Sequence, residues 1–317
     1  MKTVEYQRPP IRVALMGLGR SMFEAHYPVF KAHPALFRVV CACDLRKERR
    51  DIVAKDFPEC RMFRQFADML DESDIDLVDI ATPSVDHVRD ALQSLAHGFW
   101  TLLETPMALT PDDAQILKGA AIKAKNRLLI LHRGMFAPDF LLTKQMMGDP
   151  RLGMIYQIRV RREDFIRRDD WQCVKRLGGG AAYYAMPDLI LQALKLLPVP
   201  PIQMWSELKR IASLGDAEDY AHVNLKTREA ISADVEFSGG VLPADRAPSF
   251  VIRAERGTFK VMPGASEGVL TVIDPDFKFP RRRSSVRTAA PFPITVDDAI
   301  EAVKFSHLMK KTSPFGK

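Results

Sequence analysis

Ile11-Arg12-Val13-Ala14-Leu15-Met16-Gly17-Leu18-Gly19-Arg20-Ser21-Met22 decides the fold of this chain. The first six residues are an apolar run of strand length. The run stops at a glycine turn, and Phe23 to Ala32 then reads as a helix. Strand, glycine turn and helix in that order form a phosphate cradle: Gly17 allows the tight turn, and Gly19 lets backbone approach a pyrophosphate seated on the helix N-terminus. Arg20 and Ser21 lie on the same turn. Met22 replaces the third glycine of the dinucleotide fingerprint, so the context has to support the motif.

The context is a repeating strand–helix rhythm. Arg38 to Cys43 reads as a second strand and ends at Asp44, 25 residues after Gly19. An acidic residue about 20 residues on can accept the hydroxyls of an adenosine ribose; the alternative is a turn residue or helix cap. Arg46 and Lys47 follow, and a cation there can pair with a 2′-phosphate. NAD and NADP are thus both candidate cofactors, with Asp44 tilting the balance slightly to NAD. Further strands are expected at Leu77 to Ala81, Phe99 to Leu103 and Leu128 to Leu131, with helices over Arg46 to Asp56, Val88 to His97 and Pro111 to Ala124. The alternation predicts a doubly wound parallel Rossmann sheet whose ligand lies at the strand C-terminal ends. Asp44, Thr82-Pro83 and Glu104-Thr105-Pro106 fall at such ends. His87 follows one of them and either lines the pocket or serves as a cap or core residue.

Beyond about residue 150 the pattern changes. Met154 to Val160, Ala230 to Phe237, Phe250 to Glu255 and Val269 to Ile273 are strand-like without regular helices between them, which suits an antiparallel sheet. Two domains follow, residues 1–132 and 133–317.

Composition narrows the classes. At 47% hydrophobic and 27% charged the chain reads as a globular protein. No apolar run reaches the length of a membrane span. Residues 1–10 lack the apolar core of a secretory signal, so a cytoplasmic location is expected. A net charge of +6 is mild for this length and gives no reason to expect a nucleic-acid partner. Basic residues cluster at 159–168 and 281–283, as a solvated face or an anion site; Ser284-Ser285 reads as loop. Cys41, Cys43, Cys60 and Cys173 lack zinc-ligand spacing, no metal is expected, and reduced, half-buried thiols are. His26, His33, His97 and His132 have no metal-like partners and read as structural.

The chain resembles the Gfo/Idh/MocA oxidoreductases over most of its length. The resemblance rests on Gly17-Leu18-Gly19 with His26 and Pro28, and on Asp76 to Pro83 followed by His87. It continues with Glu104-Thr105-Pro106-Met107-Ala108, Arg133 to Pro138, Gly153-Met154-Ile155, and Trp171 before Gly178-Gly179-Gly180. It implies an N-terminal NAD(P)-binding domain and a C-terminal domain on an open, mainly antiparallel sheet. It further implies a sugar-like or polyol substrate, and a homodimer or homotetramer packed through that sheet. Members carry Glu-Lys-Pro where this chain has Glu104-Thr105-Pro106, and their lysine orients substrate and supports proton transfer. After the triple glycine they carry an aspartate, a histidine four residues on and an aspartate three further; here these are Tyr184, Asp188 and Leu191. Moving a hydride to or from an alcohol also moves a proton, and Tyr183, Tyr184 and Asp188 are the candidates left. Tyr184, Asp188 and Thr105 are the candidate catalytic positions. The candidate cofactor contacts are Gly17, Gly19, Arg20, Ser21, Asp44, Arg46, Thr82, Pro83, His87 and Glu104. The rival reading is a catalytically inactive dinucleotide-binding regulator or sensor.

Overall fold

The computed structural model describes residues 9–72, 74–273, 282–284 and 296–312. The chain divides into two compact units, residues up to 108 with 112–131, and residues 109–111 with 132 onward.

The first unit is a six-stranded parallel sheet in the order β3-β2-β1-β4-β5-β6. The strands are β1 (Ile11–Met16), β2 (Phe37–Cys43), β3 (Arg61–Phe63), β4 (Leu77–Ile80), β5 (Trp100–Glu104) and β6 (Leu128–Leu131). Between them run α1 (Tyr27–Ala32), α2 (Lys47–Asp56), α3 (Phe66–Leu70), α4 (His87–Ala96) and α5 (Pro111–Lys123). Both faces of the central strands are covered. Val13, Ala14 and Leu15 are buried in sequence, as are Val39 to Cys43, the continuous apolar run that a parallel sheet demands. The four cysteines are buried and unbonded. Strand order runs outward in both directions from β1 and β4, which makes their C-terminal ends the switch point where ligands bind in such sheets.

The first helix departs from expectation. It opens with a π-helical turn over Met22–His26, in which the Tyr27 N–H reaches the Met22 carbonyl, and only then becomes α1. Pro28 has no N–H and cannot donate the next α-type bond, so the helix widens where it loses a donor.

The second unit is an eight-stranded sheet in the order β14-β13-β12-β11-β7-β10-β9-β8. Its strands are β7 (Ile155–Glu163), β8 (Gln203–Lys209), β9 (Tyr220–Lys226), β10 (Ser232–Ser238), β11 (Phe250–Ala254), β12 (Gly257–Val261), β13 (Gly268–Val272) and β14 (Arg282–Ser284). Among the described residues only β7 and β10 pair in parallel. The helices are α6 (Pro138–Met146), α7 (Ala181–Tyr184), α8 (Met186–Leu196) and α9 (Val296–Thr312). Here the absence of helices expected from the sequence is corrected: α8 lies between β7 and β8 and packs Leu189, Ile190 and Leu191 on Ile158, Val160, Val235 and Phe237. In β9, Ala221, Val223 and Leu225 are buried while Tyr220, His222 and Asn224 are half-exposed, the alternation of a sheet covered on one face. Ser284 ends a strand where loop was expected; Arg281 and Ser285 lie outside the described residues, as do residues 1–8. Among the described residues no helix is long and apolar enough to cross a membrane.

Candidate functional site

At the switch point of the first unit the glycine turn is held on three sides. Gly17 sits at φ +84°, and a β carbon there would lie 2.8 Å from the Thr82 nitrogen and 2.9 Å from the Ala81 carbonyl. Both its conformation and its neighbours therefore require glycine. Gly19 differs: a β carbon would meet only the Arg49 guanidinium at 3.7 Å and the Ala81 oxygen at 3.9 Å, which are ordinary contacts. The protein's own packing leaves room at Gly19. That is the open cradle expected where a pyrophosphate approaches backbone, and the turn fits a dinucleotide.

Asp44 braces the turn. Its Oδ2 accepts the Leu18 N–H at 2.9 Å and its Oδ1 accepts the Arg46 N–H at 2.8 Å. The carboxylate thus ties the glycine turn to the start of α2. Arg46 and Arg49 flank it at 3.8 Å. Arg20 is exposed on the turn, and Ser21 is half-buried.

The ends of β4 and β5 are joined by buried polar groups. His87 is 1% exposed. Its ring nitrogens lie 2.8 Å from the carbonyls of Thr82 and Pro106. Of the two roles open to it in the sequence, the core one is observed: His87 clamps the loops after β4 and β5, and neither nitrogen is left for a ligand. Thr82 donates to the buried Asp90 at 2.9 Å. Glu104 is likewise turned inward. Its Oε1 accepts the Ser21 hydroxyl at 2.5 Å, and its Oε2 accepts the Thr105 N–H at 3.0 Å. Oε1 also lies 3.0 Å from His26 Nε2, while His26 Nδ1 lies 2.8 Å from Asp79. Burial opposes charging of His26, but Asp79 and then Glu104 outweigh it and lift its pKa to about 10. His26, held between the side chains of Asp79 and Glu104, thereby links β4, β5 and the glycine turn. Thr105 is half-buried, and the Thr105-Pro106 peptide is cis.

The second unit carries the other candidates. After the triple glycine, Tyr183 donates to the Leu109 carbonyl at 3.3 Å. Tyr184 stacks edge-on against Phe237, ring centroids 5.4 Å apart, with the Arg168 guanidinium 4.6 Å over its face. Burial pushes both phenols upward. Tyr184 is therefore a neutral hydrogen-bond donor and a poor base.

Asp188, at the start of α8, keeps 16% of its side chain exposed and lies 2.6 Å from Nδ1 of His132. His132 is 1% exposed, and its Nε2 is buried without a partner. A carboxylate oxygen can only accept, so His132 Nδ1–H is the donor in this bond and the ring fixes one Asp188 oxygen. An aspartate backed by a histidine is an acid–base pair, and the sequence reading missed it. The two residues are 56 apart, and no spacing rule connects them. Leu191 is core.

The basic cluster on β7 is paired: Arg159 faces Asp234 at 3.6 Å and Arg161 faces Glu236 at 3.3 Å. A cavity of about 490 Å³ lined by Ile75, Phe99, Trp100 and Leu129 lies at the strand N-terminal ends of the first unit, opposite its glycine turn. Among the described residues no three His, Cys, Asp or Glu are grouped to hold a metal.

Comparison with known proteins gives two family matches. Residues 11–132 match the oxidoreductase family with an NAD-binding Rossmann fold, and residues 140–260 match the GFO/IDH/MocA C-terminal domain. An uncharacterised oxidoreductase of Schizosaccharomyces pombe is 33% identical over 195 residues, 60% of this chain and 53% of the yeast protein. The chain thus matches about half the length of that relative. The scyllo-inositol 2-dehydrogenase (NADP(+)) IolW of Bacillus subtilis is 24% identical over 78% of this chain and 68% of its own. Among solved structures, an NAD-binding protein from Listeria innocua superposes with a TM-score of 0.82 at 17% identity, covering 95% of this chain and 94% of that one.

Proposed function

The chain belongs to the Gfo/Idh/MocA family of oxidoreductases, and we propose that it is an NAD(P)-dependent enzyme acting on a sugar-like or polyol substrate with Asp188 as its proton-transfer group. The hydrogen-bonded Asp188–His132 pair carries this reading. Asp188 stands at the position for which the family resemblance implies a histidine, and it supplies titratable chemistry that Thr105 lacks. The substrate class is supported by the polyol named for the Bacillus relative.

When bound, the dinucleotide supplies a hydride acceptor or donor. The chain's own residues do the rest. The turn from Gly17 to Ser21 seats the pyrophosphate. His26, Glu104 and His87 fix the loops around it. For alcohol oxidation, Asp188 takes the hydroxyl proton on its remaining oxygen while His132 holds the other oxygen in place; in reduction the proton returns from Asp188. Tyr184 serves as a hydrogen-bond donor to a substrate oxygen. The protein is further proposed to act in the cytoplasm and as a homo-oligomer.

The test mixes the full chain with NAD⁺ or NADP⁺ and a panel of inositols, polyols and aldoses, following reduced nicotinamide by absorbance. Turnover of about 1 to 1000 per second is expected on one of them. Asp188→Asn should lower it by about 10²-fold or more. His132→Asn should move the pH profile as well as the rate. If Asp188→Asn leaves the rate within tenfold, the assignment of Asp188 is wrong. The uncharged Thr105 favours a second reading, a nucleotide-binding regulator; dinucleotide binding with no turnover across the panel would select it.

A further inference from the structure

Four cations crowd the start of α2, and the structure sorts them into two pairs. Lys47 is committed to Asp51 at 2.7 Å, and Arg50 donates to the carbonyls of Asp44 and Leu45 at 2.5 and 3.2 Å. Arg46 and Arg49 differ. Among the described residues neither guanidinium hydrogen-bonds a carboxylate; each stands 3.8 Å from Asp44, on opposite oxygens. Burial and then the charge of Arg46 make the charged form of Arg49 less favourable. Two like charges therefore converge on the one carboxylate within 4 Å of them, with Glu48 acting on Arg49 only from further away, so positive charge is in surplus around Asp44 itself.

Their position gives the surplus a meaning. Arg49 is the group that a β carbon on Gly19 would meet first, at 3.7 Å, so its guanidinium borders the pyrophosphate cradle. Arg46 immediately precedes α2, two residues after Asp44 at the end of β2, the position that reads the adenosine ribose in this fold. Asp44 is only 10% exposed in its side chain, and each of its oxygens already accepts a backbone N–H. It is placed as a brace, with its charge offset from two sides. A ribose hydroxyl gains little from such a carboxylate. A phosphate monoester, close to doubly charged at neutral pH, would relieve the repulsion between the arginines and accept from both planar forks.

We propose that the adenosine end of this site selects NADP over NAD, with Arg46 and Arg49 holding the 2′-phosphate and Asp44 bracing the turn. The inference rests on the dinucleotide reading above and reverses the slight preference for NAD drawn from the sequence, where Asp44 was visible and Arg49 was not.

The experiment titrates the full chain with NADPH and with NADH by nicotinamide fluorescence, and with adenosine 2′,5′-bisphosphate and 5′-ADP by calorimetry. NADPH should bind at least tenfold tighter than NADH, and the bisphosphate tighter than 5′-ADP. Arg46→Ala and Arg49→Ala should each weaken NADPH by about 10- to 100-fold, the worth of a charged hydrogen bond, and by at least tenfold more than they weaken NADH, which shares the pyrophosphate but lacks the 2′-phosphate. Retained NADH binding shows that the variants are folded. Arg49→Lys should recover only part of the loss, because a point charge replaces a fork. NADH binding as tightly as NADPH overturns the proposal and leaves the dinucleotide reading intact. NADPH affinity unmoved by both alanine variants also overturns it. Binding of neither cofactor at millimolar concentration overturns the two together.

Discussion

A β carbon would be felt differently at the two glycines of the first turn, and the difference separates folding from ligand binding. Gly17 has a positive φ and backbone atoms 2.8 to 2.9 Å from where the carbon would sit. Alanine there must displace the loop after β4, and positive-φ strain adds about 1 kcal/mol or more. Gly19 has only ordinary contacts. Gly17→Ala is expected to lower the denaturant midpoint by an amount equivalent to about 2 to 4 kcal/mol. Gly19→Ala should leave the midpoint within the equivalent of about 0.5 kcal/mol while weakening NAD(P)H binding at least tenfold, because its methyl occupies space the pyrophosphate needs. Equal stability losses in chemical denaturation would show that Gly19 serves the fold.

At the scale of elements, β4, β5 and the first helix are joined by a charge that titrates. His26 has its pKa raised to about 10 by Asp79 and Glu104, against about 6.5 in the unfolded chain. A raised folded-state value means that the stabilisation is complete below about pH 6.5 and is lost as pH climbs towards 10. Urea midpoints measured from pH 6.5 to 9.5 should therefore fall, and His26→Asn, though less stable throughout, should show a shallower decline. Parallel slopes in the two proteins would exclude the imidazolium as the cause. This network also shows what was legible beforehand. β1, β2, β4, β5 and β6 are largely apolar runs between polar breaks and stand out in the sequence, whereas the three residues of β3, opening on the exposed Arg61, carry no such run. His26 looked structural, and nothing in the spacing of residues 26, 79 and 104 tells that three elements bring them within 3 Å. The same holds for His132 behind Asp188. The strands β8, β9 and β12 alternate with charged and aromatic residues rather than running apolar, so their signal was weaker than that of the buried parallel strands. The π turn follows from Pro28 only once the helix is known to start before it.

On the scale of the whole molecule, the second unit's sheet is covered by α8 on one face and carries a polar ladder on the other. Trp205 of β8, 55% exposed, packs edge-on to His222 of β9 at 5.4 Å. His222 reaches Asp234 of β10 at 2.5 Å, and Asp234 faces Arg159 of β7 at 3.6 Å. Tyr156 and Val269 add exposed apolar area on further strands. A face with satisfied charges at its centre and an exposed tryptophan beside them has the make-up of an interface, since aromatic residues and arginine are enriched there. The proposed homo-oligomer is placed on this face. Light scattering behind size exclusion should give a mass of two or four chains at micromolar concentration. Trp205→Arg adds a charge to a position that is solvated in the single chain, so it should cost the monomer little and convert the assembly to monomers. Its NADPH affinity should match that of the unaltered protein, because the glycine turn belongs to the other unit. If Trp205→Arg leaves the mass unchanged, this face does not hold the copies together. If the unaltered protein is a monomer at 100 μM, the oligomer itself is excluded.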